Sequence, residues 1–501
     1  MIPLLNAKQI RDADAYTIAN QPISSIDLME RASKKFTGYF INRFTDKNTH
    51  ISVYCGTGNN GGDGLAIARM LYQHKYLNIN VKIVRFSGKQ TDDFNINLKR
   101  LKETPVGITE IETDATIPED SCDIIIDAML GSGLNKPLDG DYERLVNFLN
   151  NLNKTVVAVD VPTGFFIDGD MRPRVTVLKA DLVITFQQPR INFLLPESAQ
   201  YIKYFEAISI GIDERFSRSL NSPYQLIEEK DIRGKLRPRG RFSNKGTYGH
   251  ALIIAGAPET MGAALLCSSA CAHAGAGLTT ACIPQSGLTA LNCFQPEVMA
   301  IVRKGEDLPE VDWEKFSTVG IGPGLGKNEL ALALFKYVLA HYKKPMVIDA
   351  DAINLLAENP DLWALVPEDS IVTPHMKEFD RLFGDHENWW QRLQTQMREA
   401  TARKIVILLK NDFTVTATPE GSLYFNSTSN AAMASGGMGD VLTGIITALL
   451  AQRYASADAC IIGAYIHGKA GDELALPHRM MVTLPGKVVS QVPFTLAKLM
   501  A

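Results

Sequence analysis

No two cysteines in this chain stand in C-x-x-C spacing. The seven that are present are scattered. An odd, sparse set neither frames a disulfide-rich domain nor builds a thiolate zinc site, and it fits reduced thiols in a cytoplasm. Positive charge is not in excess either: 51 Lys and Arg stand against 55 Asp and Glu, a formal net charge of −4. Nothing is left over to neutralise a nucleic-acid backbone, so no nucleic-acid partner is expected. No uninterrupted run reaches the ~18 apolar residues of a membrane-spanning helix. The longest apolar region, 441–450, is broken by Thr443, Gly444 and Thr447 and reads as a buried helix. At the N-terminus, Met1 to Leu5 gives way to a polar run from Asn6 to Asp14, so no secretory leader is expected.

What the sequence does have is length and a regular α/β rhythm. A chain of 501 residues exceeds what one hydrophobic core usually serves, so two or three domains are expected. After Ser24 and Ser25, the apolar positions Ile26, Met29, Phe36 and Phe40 share one helical face. Short β-rich runs then alternate with helical stretches: 51–55, a glycine loop with a helix from Leu65, 81–86, 123–127, 156–160 and 182–186. Continuous β-branched strands separated by helices imply a parallel sheet covered on both faces. The stretch 212–248 is rich in Arg and Pro, poor in apolar residues, and reads as a linker. A second α/β pattern follows, with strands expected at 251–256, 318–321, 345–349, 370–373, 405–409 and 414–418. Helices are expected at 263–274, 329–341, 390–403 and 441–450.

The first chemical motif is Gly56-Thr57-Gly58-Asn59-Asn60-Gly61-Gly62-Asp63-Gly64, between a strand and a helix. Glycines let the main chain approach a phosphate, and a helix N-terminus offers free N–H groups. A tight strand-to-helix turn would explain the glycines, but not Asn59, Asn60 and Asp63 set among them. The run is neither G-x-G-x-x-G nor a P-loop ending in Lys-Ser/Thr. Two more strands end in Asp127-Ala128-Met129-Leu130-Gly131-Ser132-Gly133-Leu134 and in Asp160-Val161-Pro162-Thr163-Gly164. Parallel strands deliver such residues to one sheet edge, so Asn60, Asp127, Asp160 and Thr163 can converge there.

These three segments resemble the NAD(P)HX epimerase family, which acts on hydrated NAD(P)H. The resemblance implies a Rossmann-like three-layer domain with a parallel sheet over residues 1–218. It implies a hydrated-cofactor site at Asn59, Asn60, Gly61, Gly62 and Asp63, continued by Gly131, Ser132, Gly133, Leu134, Asn135, Lys136 and Pro137. It further implies a potassium ion held by Asn60, Asp127 and Thr163, with Asp160 as the catalytic residue. Thr163 stands where serine is common, which keeps the hydroxyl. Arg190 stands where lysine is common.

The second motif, Ala434-Ser435-Gly436-Gly437-Met438-Gly439-Asp440, opens the apolar helix near the C-terminus. Successive glycine N–H groups at a helix start can meet the negative charge that develops in phosphoryl transfer. Asp440, in the first turn, can take a proton from a hydroxyl. This signature resembles the ribokinase-like superfamily. Further segments are similar to the ADP- or ATP-dependent NAD(P)HX dehydratase family: 246–250, 262–264, 275–278, 321–326, 349–352, 373–375 and 410–414. The resemblance implies a ribokinase-like α/β domain over 225–501. There Lys410, Asn411, Asp412, Phe413, Thr414 and Gly439 would hold the nucleotide, Ala263, Gly324 and His375 would line the hydrated-cofactor site, and Asp440 would be catalytic. Met438 replaces a residue that is usually small, and Ser429 replaces a common glycine.

The two resemblances meet in one reaction sequence. The N-terminal half is expected to interconvert R and S NAD(P)HX. The C-terminal half is expected to dehydrate the S form with ADP, releasing AMP and phosphate, with magnesium accompanying the nucleotide. ADP is the expected donor, with ATP an alternative. A cytoplasmic homo-oligomer with no membrane partner is expected. The rival readings are a ribokinase-like small-molecule kinase with a non-catalytic N-terminal nucleotide-sensing domain, and an N-terminal half that serves only in oligomerisation.

Overall fold

A computed structural model describes residues 1–117, 119–171, 175–305 and 307–501. The chain divides into two compact units. One comprises Ile2–Ser222 with Asn388–Trp390, the other Pro223–Glu387 and Gln391–Ala501 with Met1. Among the described residues no helix is long and apolar enough to cross a membrane.

A two-residue strand, β1 (Ile2–Pro3), opens the chain. The first unit is then built on β2 (Ile51–Cys55), β3 (Ile79–Arg85), β4 (Gly107–Glu112), β5 (Ile124–Ala128), β6 (Thr155–Val159), β7 (Leu182–Phe186) and β8 (Phe205–Ile208). Their order in the sheet is β4-β3-β2-β5-β6-β7-β8, and every neighbouring pair is parallel. Side chains alternate between faces along each strand. Val53 and Cys55 pack into one apolar cluster with Phe36, Leu65 and Phe94 from the covering helices. Tyr54 between them joins the other cluster, with Leu145, Leu149 and Phe193. Both faces are therefore buried, as the apolar strand runs require. From β2 the chain winds outward to β3 and β4, then returns to β5 and winds the other way. The crevice at that switch point opens beyond the C-terminal ends of β2 and β5, where the glycine motif and Asp127 lie.

The second unit contains β9 (Tyr224–Leu226), β10 (His250–Ile254), β11 (Leu278–Pro284), β12 (Met299–Arg303), β13 (Thr318–Ile321), β14 (Val347–Ile348), β15 (Ile371–Val372), β16 (Val406–Leu409), β17 (Val415–Ala417) and β18 (Leu423–Phe425). The order is β9-β18-β17-β16-β15-β14-β13-β10-β11-β12. Its switch point lies between β10 and β13. β17 runs antiparallel to both neighbours, because the short connections beside it leave no room for a crossover. Helices Met261–His273, Met438–Ala451 and Ser456–Ala475 pack one continuous apolar cluster with sheet residues Ile253, Ile283 and Leu408.

Two expectations are corrected. The helix after β2 begins at Asn59, not Leu65, so the glycine motif forms the first turns of the helix itself. The stretch 212–248, read as a linker, does carry the boundary between the units, after Ser222, but it also forms helices. Asp213 caps a helix at Glu214–Ser219 by accepting from the Phe216 N–H at 2.8 Å, and a reciprocal cap between Glu228 and Asp231 opens another at Glu229–Lys235. Local polar caps form these helices where the apolar pattern is too thin to announce them.

Candidate active sites of the two units

In the first unit a cavity of about 970 Å³ opens at the switch point. Its walls include Asn59, Asn60 and Asp63 from the helix start, Gly131, Ser132 and Gly133 from the loop after β5, and Asp160. Gly61 does not line it but allows it to form: a Cβ there would lie 1.7 Å from the Gly56 carbonyl oxygen, so only glycine lets the helix start so close to its own strand. Gly62 is buried beside Met29. Leu134, Asn135, Lys136 and Pro137 run on past the cavity wall, with Asn135 and Lys136 exposed.

Asp127, near the C-terminal end of β5, is fully buried. It accepts hydrogen bonds from the Thr163 N–H and hydroxyl, both at 2.7 Å, and from the Met129 N–H at 3.2 Å. Burial nevertheless pushes its carboxyl up to about 6, and among the described residues no basic group offsets that. Asn60 abuts Gly131, where a Cβ would lie 3.3 Å from the asparagine side chain, and its Nδ2 is buried with no hydrogen-bond partner among the described residues.

Asp160 adopts φ +63°, a left-handed conformation rare outside glycine. Three donors hold its Oδ1: the Thr185 hydroxyl at 3.0 Å, the Phe186 N–H at 3.1 Å and Arg190 at 2.5 Å. Arg190 is thus the counter-charge of Asp160, and both are buried. In the sequence Arg190 stands out only as a departure from lysine. Nothing there points to Asp14, which reaches the cavity from helix Ala7–Asn20 and whose carboxyl burial pushes up to about 6. Burial also raises Asp63 well above the usual carboxylate range, against a hydrogen bond from Ser33. No motif marks Asp14, which shares helix Ala7–Asn20 with another acid, Asp12.

In the second unit the strand ends again supply the polar groups. Lys410, after β16, places its Nζ 2.9 Å from Asp349, after β14. Thr443, from the glycine-led helix, donates to the other oxygen of Asp349 at 2.6 Å. Burial works against the Lys410 charge, but Asp349 and Glu378 outweigh it and raise its pKa. Gly437 caps the helix at φ +96°, where a Cβ would also strike Leu266, so glycine is required. Asp440 follows in the first turn. Burial pushes its carboxyl up to about 7, the Asp349 charge adds to this, and Lys410 opposes it. Asp349 and Thr443 were not expected as site residues, although Asp349 carries the same strand-end carboxylate signal as Asp127.

His375 is half exposed and caps helix Met376–Phe383, its Nδ1 accepting from the Lys377 and Glu378 N–H groups at 3.1 and 3.3 Å. Burial and then the Lys410 charge lower its pKa. A main-chain bridge joins it to Lys410. Ala263 and Gly324 face each other across the second switch point: a Cβ on Gly324 would lie 3.0 Å from that of Ala263. A separate cavity of about 490 Å³ is lined by Lys410, Asn411, Asp412, Thr414 and Gly439, with Asn430, Met433 and His467 among its other walls. Phe413, between Asp412 and Thr414, does not contribute to that wall.

Two α/β units, one on a parallel sheet and one on a mostly parallel sheet, each presenting strand-end carboxylates beside a glycine-led helix, define a two-site enzyme acting on phosphorylated small molecules. Comparison with known proteins narrows this. A family model described as NAD(P)H-hydrate dehydratase matches residues 251–493, and one described as YjeF-related protein N-terminus matches 25–191. The bifunctional NAD(P)H-hydrate repair enzyme Nnr of Coxiella burnetii is 33% identical over 95% of this chain and 95% of its own length. That of Escherichia coli is 34% identical over 85% of this chain and 81% of its own. A ribokinase-like superfamily protein of Enterococcus faecalis, of known structure, is 28% identical with a TM-score of 0.50, covering 55% of this chain and 96% of its own. The chain belongs to the family of bifunctional NAD(P)H-hydrate repair enzymes.

Proposed function

We propose that the first unit interconverts the R and S hydrates of NADH and NADPH, and that the second dehydrates the S hydrate using ADP. The observation that carries this reading is Asp440. A carboxyl held near pH 7, in the first turn of a glycine-led helix beside Lys410, is poised to accept a proton at neutral pH. The hydrate carries a hydroxyl on the carbon next to the ring nitrogen. Asp440 takes its proton as the oxygen attacks the terminal phosphorus of ADP, and the bond to AMP breaks. The N–H groups of the helix start, and Lys410, face the charge that develops. The ring nitrogen lone pair then expels phosphate, and loss of a proton from the neighbouring carbon restores the ring double bond.

Lys410, Asn411, Asp412, Thr414 and Gly439 line a cavity suited to the nucleotide, and the reading extends to Phe413 in the same run. Magnesium, as a hard cation, would neutralise the nucleotide phosphates, and Asp412 offers the oxygen donor such an ion takes. Ala263, Gly324 and His375 stand on the hydrate side.

In the first unit, Asp160 is the group we assign to proton transfer in epimerisation, with Asn59 to Asp63 and Gly131 to Pro137 as the binding segments. Asp127 is buried with no basic partner among the described residues. Asn60 can turn its unpaired amide end to present oxygen, and Thr163 supplies a hydroxyl. This all-oxygen set fits a potassium ion, which would supply the missing counter-charge. Seven free cysteines, six of them buried, suit a reducing cytoplasm. Exposed Met481, Leu484 and Phe494 favour a homo-oligomer.

The test is to supply purified protein with a mixture of R and S NADH hydrates, ADP and magnesium. The account expects recovery of reduced-nicotinamide absorbance from the entire mixture, with AMP formed in step. No recovery, or phosphorylation of an unrelated alcohol without it, favours the small-molecule kinase reading.

A further inference from the structure

The cavity of the first unit holds a buried amide that nothing so far accounts for. Gln188 lines it with 4% of its surface exposed. Its Nε2 is buried and has no hydrogen-bond partner among the described residues. A buried polar group without a partner is costly, and native proteins keep few of them. The residue is also held in place. Gln187, at φ +66°, donates its N–H to Ile208 at 2.7 Å, and its side-chain oxygen accepts from the Ile210 and Ile212 N–H groups at 3.1 and 3.3 Å. The Gln188 N–H in turn donates to the Phe186 carbonyl at 2.8 Å. Two residues further on, Arg190 donates to Asp160. The unpaired amide is therefore anchored in the segment that positions the proposed proton-transfer carboxylate.

We propose that Gln188 reads the carboxamide of the reduced nicotinamide ring and sets the ring specificity of this cavity. The proposal rests on the cavity being the hydrate-epimerising site. A primary amide offers one donor and one acceptor side by side, and the ligand carboxamide offers the complement, so the two close a paired set of hydrogen bonds. Holding the ring by its carboxamide fixes which carbon faces Asp160.

The experiment pairs a change in the protein with a change in the substrate. Exchange between R and S hydrates is followed by chromatography, without ADP, for NADH hydrate and for the hydrate of its 3-acetylpyridine analogue, which keeps the carbonyl but has no amide N–H. The full-length parent should favour the carboxamide by about tenfold in kcat/KM, one hydrogen bond's worth. Gln188→Leu should lose about a hundredfold on the carboxamide, where two hydrogen bonds go, and about tenfold on the analogue, where only the bond from Nε2 to the acetyl carbonyl goes, mainly through KM, so that the preference between the two substrates disappears. Gln188→Glu, of the same size and still an acceptor, should fall between. An equal loss on both substrates, or no loss on either, overturns the assignment. Calorimetric binding of nicotinamide mononucleotide to parent and Gln188→Leu separates the two failures. A difference in binding without any hydrate exchange removes the epimerase reading alone, and equal binding removes the role of Gln188.

Discussion

Lys410 and Asp349, brought together from the ends of two strands, form an ion pair 2.9 Å long, and Asp349 is also bound by the Thr443 hydroxyl at 2.6 Å. Asp349 thereby ties the strand carrying Lys410 to the helix carrying Asp440. Its charge also helps to raise the Asp440 carboxyl to about 7.

The pH dependence of dehydration should report this directly. Asp440 serves as a base only when ionised, so the rate rises as pH climbs through its pKa. Asp349→Asn removes a negative charge that raises that pKa and releases Lys410, which lowers it. The acid limb of the kcat/KM profile should move to lower pH, with a lower plateau because Lys410 loses its anchor. An acid limb that stays in place, or moves to higher pH, would show that Asp440 does not control it.

Arg190 and Asp160 form a buried pair in the first unit. Arg190→Ala leaves the carboxylate buried without its counter-charge, which costs ~3–5 kcal/mol in comparable cases. Arg190→Lys, which keeps the charge, should cost less. Urea unfolding followed by a probe in the first unit checks both, and an unaltered midpoint for Arg190→Ala would mean that Asp160 has another partner.

Asp127→Ala should slow epimerisation and leave dehydration of the pure S hydrate unchanged. Added potassium should raise the melting temperature of the parent, and this response should vanish in the variant. Normal epimerisation in Asp127→Ala, or an equal potassium response in both proteins, argues against a cation at this site.

Much of both folds was legible because strand and helix periodicities differ and because parallel strands end in readable residues. Asp127, Asp160 and Lys410 sit at or just beyond the end of a strand and Asp440 in the first turn after a glycine run, and the local motif marks each. Asp14 and Gln188 lacked any such mark. Asp14 comes to the cavity by the packing of an N-terminal helix, and Gln188 by a loop pinned through its neighbour. The early start of helix Asn59–Gln73 was missed because glycine has poor helix propensity. Here the close approach of Gly61 to Gly56 outweighs that propensity. The hairpin of β17 and β18 hid its second strand in three residues, too few to show a period.

The central claim is that two chemistries reside in two halves of one chain, and Asp440→Asn tests it on a single preparation. The substitution keeps the size and a capping oxygen but removes the base, and general-base contributions run to about two to four orders of magnitude. With S hydrate, ADP and magnesium, the account predicts dehydration reduced by ~10²–10⁴, ADP affinity retained, and R-to-S exchange at the parent rate. Dehydration within a few-fold of the parent, or epimerisation lost together with it, would contradict the account.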